Sequence, residues 1–332
     1  MSRVGNFFGK LFSGAPSDDG KELALRAYGK LPMYAEYRRL QVAPGAATVY
    51  SQWMDAGRLA WVQAAAQRGE KGSMVSSRLL GQLPGQKGLV VASMWDSRDN
   101  VGRIFPFSFF ITCTPEALGG DAFQRWASAV SVYEQFDRAY AELSVLRSGG
   151  DFYRLFRGRN IQVKPDDVVE RQRGLIEKAS KIDAQEWYDA LGLSASTPAD
   201  WFSSLVRRSA RWKRQPDDIA QLAVGCPLAE GIAFDVQAML WLRWIEPFAQ
   251  RARKTPWMVS PGNSGGSGRS TYLILRDLMP DDFQLLTSQA GDYGFVEHLA
   301  TTPNAAPAGS ASVVPPQGSL LSWLSSLSPV KA

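Results

Sequence analysis

The side chains able to do acid–base or nucleophilic chemistry are sparse in this 332-residue chain: one histidine, His298, and two cysteines, Cys113 and Cys226. Hydrolytic triads, histidine acid–base pairs and zinc sites draw on several such residues at set spacings. There is no His-Glu-x-x-His, no paired-cysteine motif and no Gly-x-Ser-x-Gly elbow. His298 stands between Phe295, Glu297 and the end of the folded part, and reads as a half-buried structural residue. Cys113 lies in an apolar run and suits a buried free thiol. Two distant cysteines without metal-ligand spacing fit a reducing compartment. Carboxylate pairs (Asp96 and Asp99, Asp166 and Asp167, Asp217 and Asp218, Asp281 and Asp282) are the kind that mark helix starts, where negative charge meets the helix dipole. The stretch Gly262 to Ser270 resembles a phosphate cradle only loosely: a P-loop needs Gly, four residues, then Gly-Lys-Ser/Thr between a strand and a helix. Here the first glycine is one residue out, Arg269 replaces the lysine and a strand-like run follows, so a hairpin loop is the plainer reading. The residues therefore predict no enzyme, no catalytic residue, no metal and no cofactor, with a nucleotide-dependent enzyme using residues 262–270 as the alternative.

The formal charge is +5, from 37 Lys+Arg against 32 Asp+Glu, too small a surplus to imply a nucleic-acid partner by itself. The densest basic stretch is Arg207, Arg208, Arg211, Lys213 and Arg214 with Trp212 among them. Cations interleaved with an aromatic can neutralise phosphates and stack on bases; a solvated helix end explains the same residues. A nucleic-acid or membrane-surface binder is thus a second alternative, and neither nucleic acid nor stable membrane insertion is the expectation. No stretch reaches the roughly 18 apolar residues of a membrane span. The first fourteen residues lack a long apolar core and a cleavage site, so the chain reads as cytoplasmic. Hydrophobic residues make up 45% and tryptophans number 11, which favours a well-packed core over a disordered chain.

The elements that would carry these residues follow from periodicity. Leu23 to Tyr28 reads as a strand and Gly29-Lys30-Leu31-Pro32 as a turn. Tyr50, Trp53, Met54, Gly57, Trp61 and Ala65 recur at helical offsets on one face. Leu89 to Trp95 and Ile104 to Cys113 read as strands around a polar loop, Asp96 to Gly102. Asp121 caps a long helix bearing Phe123, Trp126, Val130, Tyr133, Phe136, Tyr140 and Leu143. Helices are predicted over Pro165 to Lys181, Asp183 to Leu191 and Pro198 to Arg208, the last capped by Ser196 or Thr197. Residues 221–233 read as strand and turn. Phe234 to Ala252, apolar on nearly every side, is a central buried helix that Pro247 would kink. Trp257 to Val259 and Thr271 to Leu275 read as strands, and Asp281 to Thr287 as a short helix. The fold class is therefore α/β (α+β): a mixed sheet flanked by helices over residues 21–150, then a largely helical second part with a few strands over 151–300. Residues 1–20 form a leader with a possible apolar stripe (Phe7, Phe8, Leu11, Phe12). Residues 301–332 form a Pro-, Ser- and Ala-rich linker with a short amphipathic tail helix, Leu320 to Leu327, whose apolar face needs a cover.

Two stretches are not generic: Tyr28-Gly29-Lys30-Leu31-Pro32, and Ser97-Arg98-Asp99-Asn100-Val101-Gly102-Arg103-Ile104-Phe105-Pro106, about seventy residues apart. With the Trp-bearing helix between them they resemble the signature of the TagF (ImpM) family of Gram-negative type VI secretion. That family shows a Tyr/Phe-Gly-Lys-Leu-Pro turn and then Ser-x-Asp-x-Val-Gly-Arg-x-Phe-Pro opening an apolar strand. Thr255 to Met258 and Leu278 to Phe283 resemble its terminal Trp strand and Leu-Pro-x-x-Phe step. The resemblance spans roughly residues 24–290, and residues 150–230 match nothing in it. Where the family has Gly-Asp-Phe after the first turn, this chain has Ala35-Glu36-Tyr37. The resemblance implies an accessory protein of type VI secretion, a post-translational regulator that binds a cytoplasmic component, the forkhead-associated scaffold first among them. The implied interface residues are Tyr28, Gly29, Lys30, Leu31, Pro32, Glu36, Ser97, Asp99, Val101, Gly102, Arg103, Phe105 and Pro106. From the residues themselves, Gly29 and Gly102 permit turns, Pro32 stops a strand, and Arg103 pairs with Asp99 or Asp96 to fix the loop, or else meets a partner.

Overall fold

Lys21–Ala24 (β1) and Arg26–Gly29 (β2) form two strands where the pattern predicts one. The break falls at Leu25, whose N–H donates to Arg159 O at 2.9 Å, and it sends the two strands to different sheets. Next come β3 (Arg38–Leu40), α1 (Ala46–Arg68), β4 (Ser77–Gln82), β5 (Leu89–Trp95) and β6 (Phe107–Cys113). The short α2 (Pro115–Leu118) leads to the long α3 (Ala122–Ser144), then α4 (Gly149–Phe156) and β7 (Asn160–Val163). Helices α5 (Pro165–Lys181), α6 (Ala184–Ala190) and α7 (Pro198–Arg214) follow. The remainder is β8 (Ala223–Pro227), α8 (Phe234–Ala252), β9 (Trp257–Pro261), β10 (Ser270–Ile274), a 3-10 helix (Pro280–Leu286), β11 (Val296–His298) and α9 (Leu320–Leu327). The computed structural model describes residues 21–69, 76–83, 85–86, 88–146, 148–193, 197–215, 223–252, 256–261, 270–286, 295–300 and 318–327. The leader 1–20, the Gly-rich residues 262–269 and the linker 301–317 lie outside them.

Among the described residues nine strands form one mixed sheet in the order β11-β8-β10-β9-β4-β5-β6-β2-β3, and β1 pairs with β7 in a separate ribbon. Every pairing in the large sheet is antiparallel except β11 with β8. The contact between β4 and β9 joins strands from either side of residue 150, so that boundary lies inside a continuous sheet. Strands β5 and β6 are apolar without a polar face because both faces are covered, and side chains alternate between two cores. Leu89, Val91, Phe107, Phe109 and Ile111 enter one core, shared with α3, α5, α7 and α8. Val90, Ala92, Met94 and Phe110 enter the other, under α1 and the 3-10 helix. The result is helix, sheet, helix in three layers, a mixed α/β architecture.

Local chemistry sets the helix ends. The Asp121 carboxylate accepts from Gln124 N–H at 2.7 Å, and Thr197, not Ser196, caps α7 by accepting from Asp200 N–H. Helix α7 runs two turns beyond the predicted Arg208. Arg208 and Arg211 both reach Glu297 on β11, at 3.1 and 2.6 Å, which carries the helix across the edge of the sheet. Over Pro280–Leu286 the expected short helix is 3-10, and it lies so close to α1 that a methyl at Gly57 would come within 2.6 Å of Phe283 Cβ.

Ten of the eleven tryptophans are buried, which assigns them to the core and not to a binding surface. A buried indole N–H usually takes a partner, although that of Trp212 finds none among the described residues. Trp187 donates to Gln237 Oε1, Trp201 to Leu299 O, Trp241 to Pro227 O and Trp244 to Ser209 Oγ, at 2.7–3.1 Å. The tail helix belongs to this group. Instead of standing clear of the folded part, α9 buries Leu320, Leu321 and Trp323. Trp323 lies 4.9 Å from Trp187 and stacks at 7° on Trp201, centroid to centroid. Ala184 N–H donates to Gly318 O and Leu320 N–H to Ile182 O, tying the start of α9 to the start of α6. An apolar tryptophan helix finds its cover on the same chain, where the rings of Trp187, Trp201, Phe202 and Trp241 pack about Trp323.

Candidate functional site

The two signature motifs meet at one end of the large sheet. Antiparallel pairing of β2 with β6 sets Gly29 opposite Phe107. Gly29 has φ +136°, and a Cβ there would sit 2.1 Å from Pro106 O and 2.7 Å from Phe107 Cα. The glycine of the first motif is therefore pressed against the proline that closes the second, and only a residue without a side chain fits. Beyond it the Lys30 side chain, 6% exposed, reaches Asp99 Oδ2 at 2.6 Å, while Ser97 Oγ donates to Lys30 O at 2.8 Å.

Asp99 organises the second motif from inside. Its Oδ1 accepts the N–H of Val101 and of Arg103, at 3.1 and 2.8 Å, and its Oδ2 also accepts Arg103 Nε at 2.6 Å. The turn closes through Gly102 N–H to Asp99 O, Asp99 N–H to Arg103 O and Phe105 N–H to Ser97 O, with Gly102 at φ +86°. Burial alone would raise the Asp99 carboxyl. The hydrogen bonds from Lys30, from Arg103 backbone and side chain and from Val101 outweigh it and hold the group well below the usual carboxylate range. Asp99 is thus an anchored anion and has no proton to exchange near neutral pH.

Aromatic rings floor the rest. Phe105 meets Tyr37 edge-on at 4.6 Å, Tyr37 stacks on Tyr28 at 5.8 Å, and Tyr28 donates its hydroxyl to both oxygens of Asp55 on α1 at 2.8 Å. Burial, then the bond to Asp55, pushes the Tyr28 phenol far above its ordinary value, with Arg39 opposing. Leu31 is buried, whereas Pro32, Glu36, Val101, Gly102 and Arg103 face outward. The sequence pairs Asp99 with Arg103, and that contact exists. The buried counter-charge, however, is Lys30, a motif residue to which the sequence assigned only a place in a turn. Arg103 is 58% exposed and its Nη2 donates to Ala35 O.

The other groups singled out in the sequence lie elsewhere. Burial pushes the Cys113 thiol up to about 12 and Cys226 well above its ordinary value, so neither supplies a thiolate. His298 is a half-buried residue of β11, packed against Gly225 and Tyr272. In the basic stretch, Trp212 turns inward onto Trp244 and Phe248 and offers no ring to a base. Among the described residues no helix is long and apolar enough to cross a membrane.

Comparison with known proteins adds little. No family model matches the chain, and no curated protein matches it. A crystal structure of PA0076 from Pseudomonas aeruginosa PAO1 is similar over 37% of this chain and 64% of its own, at 21% identity and a TM-score of 0.26. The matched part is under two thirds of that protein's length, and so loose a superposition carries no argument.

The arrangement predicts a hierarchy. Lys30→Met strands part of a buried charge and should lower the melting temperature by on the order of 5 °C, whereas Arg103→Ala, at an exposed pair, should cost no more than about 2 °C. Thermal melts followed by circular dichroism read both. Because the Asp99 carboxyl is depressed in the folded state, its contribution is in full above about pH 4, its value in the unfolded chain, and is lost as the pH falls below that. The gap between wild type and Lys30→Met should close over the same acid range. Equal melting of the two variants at pH 7 would contradict the assignment of Lys30 as the principal partner.

Proposed function

We propose that this protein is a non-enzymatic accessory of a bacterial type VI secretion system, similar to the TagF family, which regulates after translation by binding a cytoplasmic component. The forkhead-associated scaffold is the first candidate partner. One observation supports this reading above others: the two motifs that carry the resemblance form a single cluster through Lys30, Ser97 and Asp99. Its inner side is consumed in holding the loop, and its outer side presents Val101 and Arg103 without any role in packing the core. A site of that kind suits recognition, since Lys30, Asp99 and Arg103 are fixed by one another and burial keeps the Tyr28 and Tyr37 phenols protonated. The test is affinity purification of the full chain from a native strain whose secretion system is expressed, with the purified protein assayed against nucleotide, ester and peptide substrates. The scaffold should be enriched and turnover absent. Recovery of metabolic enzymes or nucleic acid alone would refute the reading.

A further inference from the structure

The outer face of the motif cluster is rich in arginine. Arg39, Arg58 and Arg103 stand about Tyr28, Tyr37 and Phe105, with Glu36, Asp55 and Asp99 as the carboxylates beside them. Two of those carboxylates are already engaged, Asp99 by the buried Lys30 and by Arg103, and Asp55 by Tyr28. The arginines are also held in place. Arg39 lies over the Tyr28 ring at 5.4 Å, Arg58 over Phe105 at 5.5 Å, and Arg103 is pinned by Asp99 and by Ala35 O. Two exposed apolar groups belong to the same motifs, Tyr37 at 38% and Val101 at 65%. A guanidinium already oriented loses little rotamer freedom when a carboxylate joins it, and its planar fork matches a carboxylate in two places. An aromatic or aliphatic group beside that carboxylate would cover Tyr37 and Val101.

We propose that the face formed by Arg39, Tyr37, Val101 and Arg103 docks an acidic peptide segment of a partner protein, its carboxylates on the two arginines and an apolar side chain of the same segment on Tyr37 and Val101. A nucleic acid would ask for a longer basic track with free aromatic faces. Here three arginines accompany two exposed apolar side chains, a patch that fits a few residues of extended chain. The assignment concerns surface chemistry and holds whatever assembly the partner belongs to, so it stands or falls apart from the secretion reading.

Fluorescence anisotropy with the full chain tests it. The probe is a short fluorescein-labelled peptide alternating Asp/Glu with Leu/Phe, and the control peptide carries Lys in place of each carboxylate. The acidic probe should bind saturably and more weakly as salt rises. Val101→Asp and Arg39→Glu, at two exposed side chains that do not touch Asp99 (Val101 meets it only through its backbone N–H), should each weaken it by about tenfold or more. Arg171→Glu on α5, remote from this face, should leave it unchanged. Absence of saturable binding, equal binding of the lysine peptide, or undiminished binding by both face variants overturns the proposal. Retained melting temperatures in the variants ensure that a loss is read as lost contact.

Discussion

Gly29→Ala should destabilise the protein by about 3 kcal/mol or more, a fall of roughly 6 °C or more in melting temperature. The added methyl meets two backbone atoms, Pro106 O at 2.1 Å and Phe107 Cα at 2.7 Å, and neither can rotate aside as a side chain would. The φ of +136° is itself foreign to an L-residue, so relief has to come from parting β2 and β6. Gly69→Ala is the matched control. It also has positive φ, +69°, but nothing lies within 4 Å of its would-be Cβ, and about 1 kcal/mol is expected there. Circular dichroism melts of the pair separate strain from collision. Equal losses would mean that the two motifs are less tightly apposed than the Gly29 contact requires.

Trp323→Ala should be at least as damaging, by about 3–5 kcal/mol, because it empties a space bounded by Trp187, Trp201, Trp241 and Phe202 that no neighbour is free to fill. The effect has a companion result. Leu299 O accepts from Trp201 Nε1 and Trp323 stacks on the same ring, so the described residues on either side of the Pro-rich stretch 301–317 meet at one tryptophan. Limited proteolysis should cut within them, and the C-terminal piece should still elute with the body of the protein on gel filtration. Release of that piece on cutting, or a Trp323→Ala variant that melts with wild type, would show the helix to be an ornament.

The legible parts of this fold are those whose pattern is local. Helices α5 and α8 have the predicted bounds, since Pro165 opens one and an all-round apolar surface defines the other. The long apolar runs of β5 and β6 stand out for the same reason, although the second starts at Phe107 and not at Ile104, which makes only an isolated bridge with Arg98. Strands β3, β4, β7 and β11 escaped notice. They are short or polar, and pairing makes them strands: β7 exists because β1, some 140 residues earlier, lies beside it. The candidate site divides in the same way. Gly29, Asp99, Gly102 and Pro106 are recognisable in sequence as a motif. The Lys30–Asp99 bond crosses 69 residues, and a local reading pairs Asp99 with Arg103, four residues on, instead. The cover over α9 was equally invisible, because a tail helix does not encode which distant rings await it.

Strand order also governs how this protein can be made. β4 sits between β5, which follows it at once, and β9, which begins at Trp257. A ribosome adding roughly 5–20 residues per second leaves the β4 edge bare for about 10–35 s before its second neighbour emerges. Throughout that interval the nascent chain carries Leu79 and Leu80 on an open strand and half of two unfinished cores. The N-terminal half cannot complete itself early and wait. It depends on the last-made strands, so the burden of avoiding aggregation falls on the minute of synthesis and not on the finished molecule.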